Sequence, residues 1–344
     1  MTRKHDGRIA AKSLMMVSAA LLACAAPTAA DEVADFYKGK NVEFQIGFGP
    51  GGGNDVWGRM VSRHLPRHLP GSPTFVPKNV PAAGSLLVAN YLYNAAPKDG
   101  TALGMIARGI PFEPLFGGQG TQFDALKFNY LGSPSYDSNM CAVWHEHPAK
   151  TAKDLLTVPT VIGSTGSGAE SHVFPILLEN LLGMKIKTIK GYKGSQDIML
   201  AIERRELDGI CLGTETVRRT SQYKEGKFRI ILQMATKPDP VLGDLPLVVD
   251  FTKTPEDRAA LDLIFARVDV GRPFVAPPGV PAVRVAALRK AFTATMGDAE
   301  FIKDITQAKF EISPLTGEQL EELIRKAYAT PKAVVQRTSE LLSQ

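Results

Sequence analysis

Long apolar runs, basic clusters and hydrolase signatures are all missing from this chain of 344 residues. Beyond an N-terminal leader, no stretch approaches the roughly 18 apolar residues that cross a bilayer, which excludes a multi-span membrane protein. No Lys/Arg run interleaves with aromatics, so nucleic acid is not an expected partner. Neither a G-x-S-x-G elbow, a G-K-[ST] after a glycine loop, nor an H-E-x-x-H helix occurs. Their absence removes the commonest signatures of hydrolases, nucleotide enzymes and zinc peptidases. Cysteine is scarce, with three in all, too few for a disulfide scaffold. His145 and His147 share a strand face but lack a third ligand, so they read as a solvated strand end and no metal is expected.

The start of the chain is the exception to this plainness. Arg3, Lys4, Arg8 and Lys12 precede an apolar core from Leu14 to Ala23, and Thr28-Ala29-Ala30 forms a small-residue cleavage site before Asp31. This is the layout of a secretory leader over residues 1–30, cut near Ala30, and it predicts a periplasmic protein. A variant is processing at Leu21-Leu22-Ala23-Cys24, which would anchor the chain through a lipidated Cys24. Losing residues 1–30 takes four of the 40 basic and one of the 35 acidic side chains, leaving a net charge of +2. Two cysteines remain, Cys141 and Cys211. In an oxidising compartment they either bridge or stay as buried thiols.

The remaining length suits two domains. A first rhythm of strand, turn and helix runs through Val42–Ile46, a helix Asp55–His68, Thr74–Val76, a helix ending near Tyr93, and Leu103–Ile106. It restarts near residue 136 with Met140–Trp144, Val158–Gly163, a helix Ser171–Leu182, Lys187–Ile189, a helix Gln196–Arg205 and Leu207–Leu212. The expected fold is α/β: two lobes, each a sheet flanked by helices, with residues 31–135 and 253–344 in one and 136–252 in the other. Three C-terminal helices, starting near Val283, Gly317 and Pro331, are expected to buttress the first lobe. Thr316-Gly317-Glu318-Gln319 has the form of a capping box.

Glycine-rich turns open the helices in both units. Ligands of such sheets bind beyond the carboxyl ends of the strands, so two units facing each other enclose a cleft. Bare amides at helix starts favour an anion there. The first loop, Gly47-Phe48-Gly49-Pro50-Gly51-Gly52, fits G-x-G-x-x-G literally. It lacks an acidic residue at the end of the next strand, Pro77-Lys78-Asn79, and so does not predict a dinucleotide or any other cofactor. Gly51, Gly52 and Asn54 from this loop, Ala83, Gly84 and Ser85 from the second, and Ser164, Thr165 and Ser167 from the third are the candidate carboxylate contacts. Arg108 could add a charge-assisted bond, while Phe48 and Tyr192 could wall the carbon skeleton. Asp55 reads as a helix-capping residue. Ser167-x-x-Glu170 reads as a capping box.

Taken together, Phe36-Tyr37-Lys38-Gly39-Lys40, Phe48-Gly49-Pro50-Gly51-Gly52-Gly53-Asn54-Asp55, Val80-Pro81-Ala82-Ala83-Gly84-Ser85, Ala95-Ala96-Pro97-Lys98-Asp99-Gly100-Thr101, Tyr192-Lys193-Gly194-Ser195 and Val275-Ala276-Pro277-Pro278-Gly279-Val280-Pro281 resemble one family in their order and spacing. It is the Bug-type periplasmic solute-binding receptors of tripartite tricarboxylate transporters. The resemblance covers nearly all of the chain after the leader. It implies a monomeric Venus-flytrap of the type II binding-protein kind, without enzymatic activity, closing on a small organic carboxylate. It further implies delivery to a membrane permease of one large and one small subunit, or presentation of the bound ligand to a membrane sensor. An exported α/β enzyme is the alternative outside this class. By resemblance the pincers are Phe48–Asp55 and Ala83–Ser85, opposed by Ser164–Ser171 and by Gly213, Thr214 and Glu215. The chain departs from the family pattern at Ser85, where a glycine is usual, and at Glu170 and Glu215, where small neutral residues are. An acid facing the cleft would disfavour a second carboxylate on the ligand and favour a monoacid, an amide or an amine.

Overall fold

A computed structural model describes residues 29–166 and 168–342. Residues 1–28 of the expected leader, with Cys24, and the candidate Ser167 lie outside the described residues. The first unit threads α1 (Ala29–Tyr37), β1 (Asn41–Ile46), α2 (Gly53–His64), β2 (Thr74–Asn79), α3 (Leu86–Asn94), β3 (Ala102–Met105) and β4 (Asn129–Ser133). The second threads β5 (Asn139–Trp144), β6 (Thr160–Ser164), α4 (Glu170–Leu182), β7 (Ile186–Lys190), α5 (Ser195–Glu203), β8 (Gly209–Gly213), the short α6 (Thr214–Arg218) and α7 (Ser221–Lys224), and β9 (Phe228–Gln233). The chain finishes with α8 (Pro255–Val270), β10 (Phe274–Ala276), α9 (Ala282–Met296), α10 (Ala299–Gln307), β11 (Leu315–Thr316), α11 (Gly317–Tyr328) and α12 (Lys332–Leu342). No described helix is long and apolar enough to cross a membrane.

The strands form two sheets, each flanked by helices, and the molecule is two-lobed. The first sheet has the order β11-β4-β10-β3-β1-β2 and the second β7-β6-β8-β5-β9. Parallel registers pair Ile46 with both Asn79 and Met105, so the loops that follow β1, β2 and β3 leave the first sheet at one edge. In the second sheet β6 runs parallel to β7 and β8, with Ser164 opposite Lys190, and the loops after these strands also share an edge. That shared edge is the usual place for a ligand. One crossing is not visible as strand rhythm: β10 enters antiparallel between β3 and β4. The chain passes from the first sheet to the second between β4 and β5, through residues 134–138, where the rhythm restarts.

Packing explains where the helices differ from expectation. The apolar stripe of the second helix continues to His68, but the α-helix stops at His64 and a 3-10 turn follows over Leu65–His68. Pro66 has no amide to donate and its ring crowds the preceding turn. Trp57 on this helix is fully buried against Phe301 and Phe310, which fixes α10 to the first core. α9 adds Leu288 and Phe292 to the same core. The capping box at Thr316 is formed, with the Thr316 Oγ1 accepting from Gln319 N at 3.3 Å and the Gln319 side chain accepting from Thr316 N at 2.8 Å. The last helix meets both lobes: Val334 and Val335 pack on the first lobe's core and Ser339 Oγ donates to Phe116 O at 2.9 Å, as buttressing requires. α12 places Leu341 in the core of the second sheet, where Asn180 Nδ2 donates to Leu341 O at 2.8 Å. α8 lies between: Leu261, Ile264 and Phe265 join the second core, and Leu263 and Val270 the first. A helix apolar on opposite sides is stable only when covered on both. His147 is buried at 7 % exposure, its Nδ1 accepting from Ala149 N, and is therefore not a solvated strand end.

Cys141 and Cys211 sit directly opposite each other on the antiparallel pair β5 and β8, both fully buried, and are joined in a disulfide spanning 70 residues. A bridge across a loop of that length restricts the unfolded chain and typically contributes about 2–4 kcal/mol. The double variant Cys141→Ala/Cys211→Ala should lose that amount in urea melts. Reductant should lower the stability of the wild-type protein by a similar amount and leave the variant unchanged.

Candidate functional site between the lobes

The carboxyl edges of the two sheets enclose a cavity of about 40 Å³. From the first lobe it is lined by Phe48, Gly49, Gly52, Gly53, Asn54 and Arg108, and from the second by Thr165, Ala169, Glu170, Ser171, Gly194, Ser195, Ile198, Leu212, Gly213 and Thr216. Asp137, in the segment that passes between the sheets, and Arg272 complete it. A space of this size holds a few waters, so an organic acid requires the lobes to part or the lining to move. The lobes are in contact around it. Gly49 N donates to Lys193 O at 2.8 Å, Gly84 N to Thr165 O at 3.2 Å, and Glu311 N to Glu215 Oε1 at 2.8 Å. Glycines make the approach possible: a Cβ on Gly109 would lie 2.4 Å from Gly168 O, and one on Gly166 2.4 Å from Ala83 C.

Of the expected contacts, Phe48, Gly52, Asn54, Arg108, Thr165, Ser171 and Gly213 line this cavity. The others do not. The Gly51 amide is taken by Asp55, whose carboxylate also receives Arg59 and Asn79, so Asp55 secures the start of α2. Ala83, Gly84 and Ser85 all have positive φ, at 46°, 63° and 74°, and this left-handed run turns the Ser85 hydroxyl inward. It accepts from Ala107 N at 2.7 Å and is fully buried. A Cβ on Gly47 would fall 2.1 Å from that of Ser85, so Gly47 is what allows a serine there. Ala83 and Gly84 instead touch the loop after β6, and Ala83 borders a separate groove containing Glu113 and His172. The Ser164 hydroxyl accepts from Gly166 N. Tyr192 packs on the second core. Thr214 bonds Ser138 and faces another groove beside Tyr136. Glu170 is the first residue of its helix, capped by Ala169, and not the fourth member of a capping box; its carboxylate is at the cavity instead.

Asp137 and Arg272 carry the charge that the sequence reading missed. Arg272 is 3 % exposed. Its Nη2 is 2.9 Å from Asp137 Oδ2 and 3.4 Å from Glu215 Oε2, and its Nη1 donates to Ser135 Oγ at 2.5 Å. Asp137 Oδ1 accepts from Glu215 N at 3.0 Å, and Arg108 Nη1 donates to Asp137 O at 2.9 Å. A Cβ on Gly213 would lie 2.1 Å from Asp137 Oδ2, so that glycine makes room for the carboxylate. Arg108 Nε is 2.5 Å from Glu170 Oε1 across the cleft. The only local signal for this network was an arginine placed in Gly271-Arg272-Pro273, beside a proline-rich stretch.

Burial pushes the Glu215 carboxyl up to about 7, with Asp137 adding to the effect and Arg272 opposing it. Below the ordinary glutamate range the folded and unfolded chains are both protonated, and the stabilisation of the neutral form is fully present. It is lost as pH rises from about 4.5 through about 7. Glu215→Gln should remove this dependence, so that urea melts between pH 4.5 and 8 show a smaller fall in stability for the variant than for the wild type.

A separate cluster brings ligand atoms of His64, Asp298 and Glu300 within 4.8 Å of one another. Arg67 already supplies the cation there, with its Nη2 2.9 Å from Asp298 Oδ1 and its Nη1 on Glu300. The cluster ties α2 to the capped start of α10.

The profile of the tripartite tricarboxylate transporter family receptors matches residues 59–339. The chain belongs to this family. Among solved structures, the periplasmic binding protein BugD superposes with a TM-score of 0.70 at 21 % identity, covering 87 % of this chain and 96 % of its own. MatC of Rhodopseudomonas palustris, determined with bound malate, gives 0.68 at 17 % identity over 88 % and 99 % of the two chains. A further R. palustris protein, determined with adipate, gives 0.66 at 17 % identity over 87 % and 97 %. No curated protein matches the chain in sequence. These likenesses place the receptor in the binding-protein fold; its chemistry rests on its own cavity.

Proposed function

We propose that this receptor works in the periplasm, without catalysis, capturing a small organic carboxylate between lobes that close about a hinge and delivering it to the large and small permease subunits of a tripartite tricarboxylate transporter. The lobes would be residues 31–135 with 253–344, and 136–252, in a monomer released by cleavage near Ala30. The observation that carries this reading is the cavity's base. Gly52, Gly53 and Asn54 stand at the start of the 12-residue helix α2, whose amides and dipole favour an anion. Arg272 lies close by, its Nη2 3.6 Å from where a Gly53 Cβ would be. The malate and adipate of the R. palustris relatives support a carboxylate. The two arginines of the lining make the site suited to charge-assisted recognition.

Thermal melts of exported protein, unfolded and refolded to strip bound ligand, test this against mono-, di-, tri- and aromatic carboxylates. A ligand at a hundred times its Kd should add about 2.7 kcal/mol. A shift by one carboxylate class is the expected result. A blank across the panel would overturn the reading.

A further inference from the structure

The charged groups of the cavity lining pair with one another, Arg108 with Glu170 and Arg272 with Asp137. Arg267, on α8 behind them, has no such partner. It is 0 % exposed, its Nε donates to Ile264 O of its own helix, and both Nη atoms lack hydrogen-bond partners among the described residues. Two carboxylates act on it through space, Glu113 and Glu170. Burial pushes Glu113 towards its neutral form, with Arg267 opposing, and Glu170 Oε1 is 2.5 Å from Arg108 Nε. His172 supplies no negative charge either, since burial, with Lys190 and Arg267, lowers its pKa to about 4 and leaves it neutral. The rings of Phe112 and Phe116, 5.9 and 6.0 Å from the guanidinium, offer only the modest attraction of an aromatic face for a cation. A buried charge without a counter-charge is costly.

That cost arises at the seam between the lobes. A Cβ on Gly109 would lie 2.8 Å from Arg267 Nη1 and 2.4 Å from Gly168 O, so the guanidinium is covered where Gly109 of the first lobe meets Gly168 of the second. Parting the lobes at this point lets water reach it. Resting on the hinge closure of the carboxylate-receptor reading, we infer that Arg267 is a closing penalty built into the fold, which keeps the lobes mostly apart until an anion is bound. With the lobes parted the guanidinium is hydrated; with the lobes closed on an empty cavity it is dry and unpaired. A carboxylate in the cavity adds the negative charge that the closed seam lacks, and the attraction is weakly screened where water is excluded. The anion therefore favours the closed form over the open one, which is what a shift of population requires.

Small-angle scattering of stripped protein tests this on the wild type, Arg267→Met, Arg267→Gln and Arg267→Lys, each with and without the carboxylic acid that gives the largest thermal shift. The ligand-free wild type should be expanded relative to its acid-bound form. Arg267→Met and Arg267→Gln should be as compact without acid as the wild type is with it, a rise of at least tenfold in the ratio of closed to open molecules, and acid should compact them little further. Arg267→Lys keeps the charge and should stay expanded like the wild type. The neutral variants lose an unpaired charge and should melt no lower than the wild type; if the methionine variant does not fold, the glutamine variant gives the result. Neutral variants that stay expanded without acid overturn the inference. So does a lysine variant that closes with them, because shape and not charge would then set the equilibrium, and so does a ligand-free wild type that is already compact. These ligand-free measurements need no acid, and whatever they give, the receptor reading falls only with a blank in the carboxylate panel.

Discussion

Replacing Arg272 with methionine should cost the receptor about 3–5 kcal/mol of stability and abolish measurable ligand binding. The guanidinium is the partner of Asp137, whose side chain is 3 % exposed, and it also faces Glu215. Methionine fills much of the volume but leaves the buried Asp137 carboxylate beside Glu215 without its cation, so the cost is that of an unpaired buried charge. Asp137→Asn combined with Arg272→Met should therefore be more stable than Arg272→Met alone. Urea melts of the two single variants and the double give the coupling directly, and coupling near zero would mean that the pair is not a unit. Binding should not return in the double variant, because the donor beside the α2 amides is still missing. Stability and recognition separate in this way only if Arg272 has both roles.

The second large effect concerns closure. Gly109 has an ordinary backbone conformation, φ −78°, and a side chain there is unstrained until the lobes approach. In the closed arrangement its Cβ would be 2.4 Å from Gly168 O and 2.8 Å from Arg267 Nη1. Backbone on the far lobe cannot yield as a side chain end can. Gly109→Val should hold the lobes apart, weakening ligand at least a hundredfold, about 2.7 kcal/mol, while the ligand-free protein melts close to the wild type. Small-angle scattering should give a larger radius of gyration for the variant, and one that ligand does not reduce. A variant that binds normally would mean that the site forms without this approach.

The rhythm from β1 to β3 and from β5 to β8 was readable because local pattern sets it: runs of three to six residues, then glycine or proline, then a helix with one apolar face; β4 and β9 fall outside that rhythm. The capping box at Thr316 was readable for the same reason, since its two bonds involve residues three apart. What could not be read depends on distant partners. The insertion of β10 between β3 and β4 is fixed by packing such as Phe274 on Phe44, over 200 residues away in sequence. α12 has the same kind of pattern as its neighbours, and only its packing against α8 and α4 determines that Leu341 at its end reaches the second core. The glycine loops showed where the site is, yet which atoms face it followed from details of geometry. Three successive positive φ angles take the Ser85 hydroxyl away from the cavity. A helix starting at Glu170 brings in a carboxylate that the sequence suggested was structural. Asp137 and Arg272 lie 135 residues apart and meet only when the sheets are assembled.

The most direct test of the central claim is the anomalous map from a crystal of the receptor grown with a bromine-labelled version of the carboxylic acid that gives the largest thermal shift. The account predicts a single strong peak in the cavity between the lobes, with the carboxylate on Gly52–Asn54 and within bonding distance of Arg272. A peak in the groove beside Glu113 and His172, with the interlobe cavity filled only by water, would contradict it.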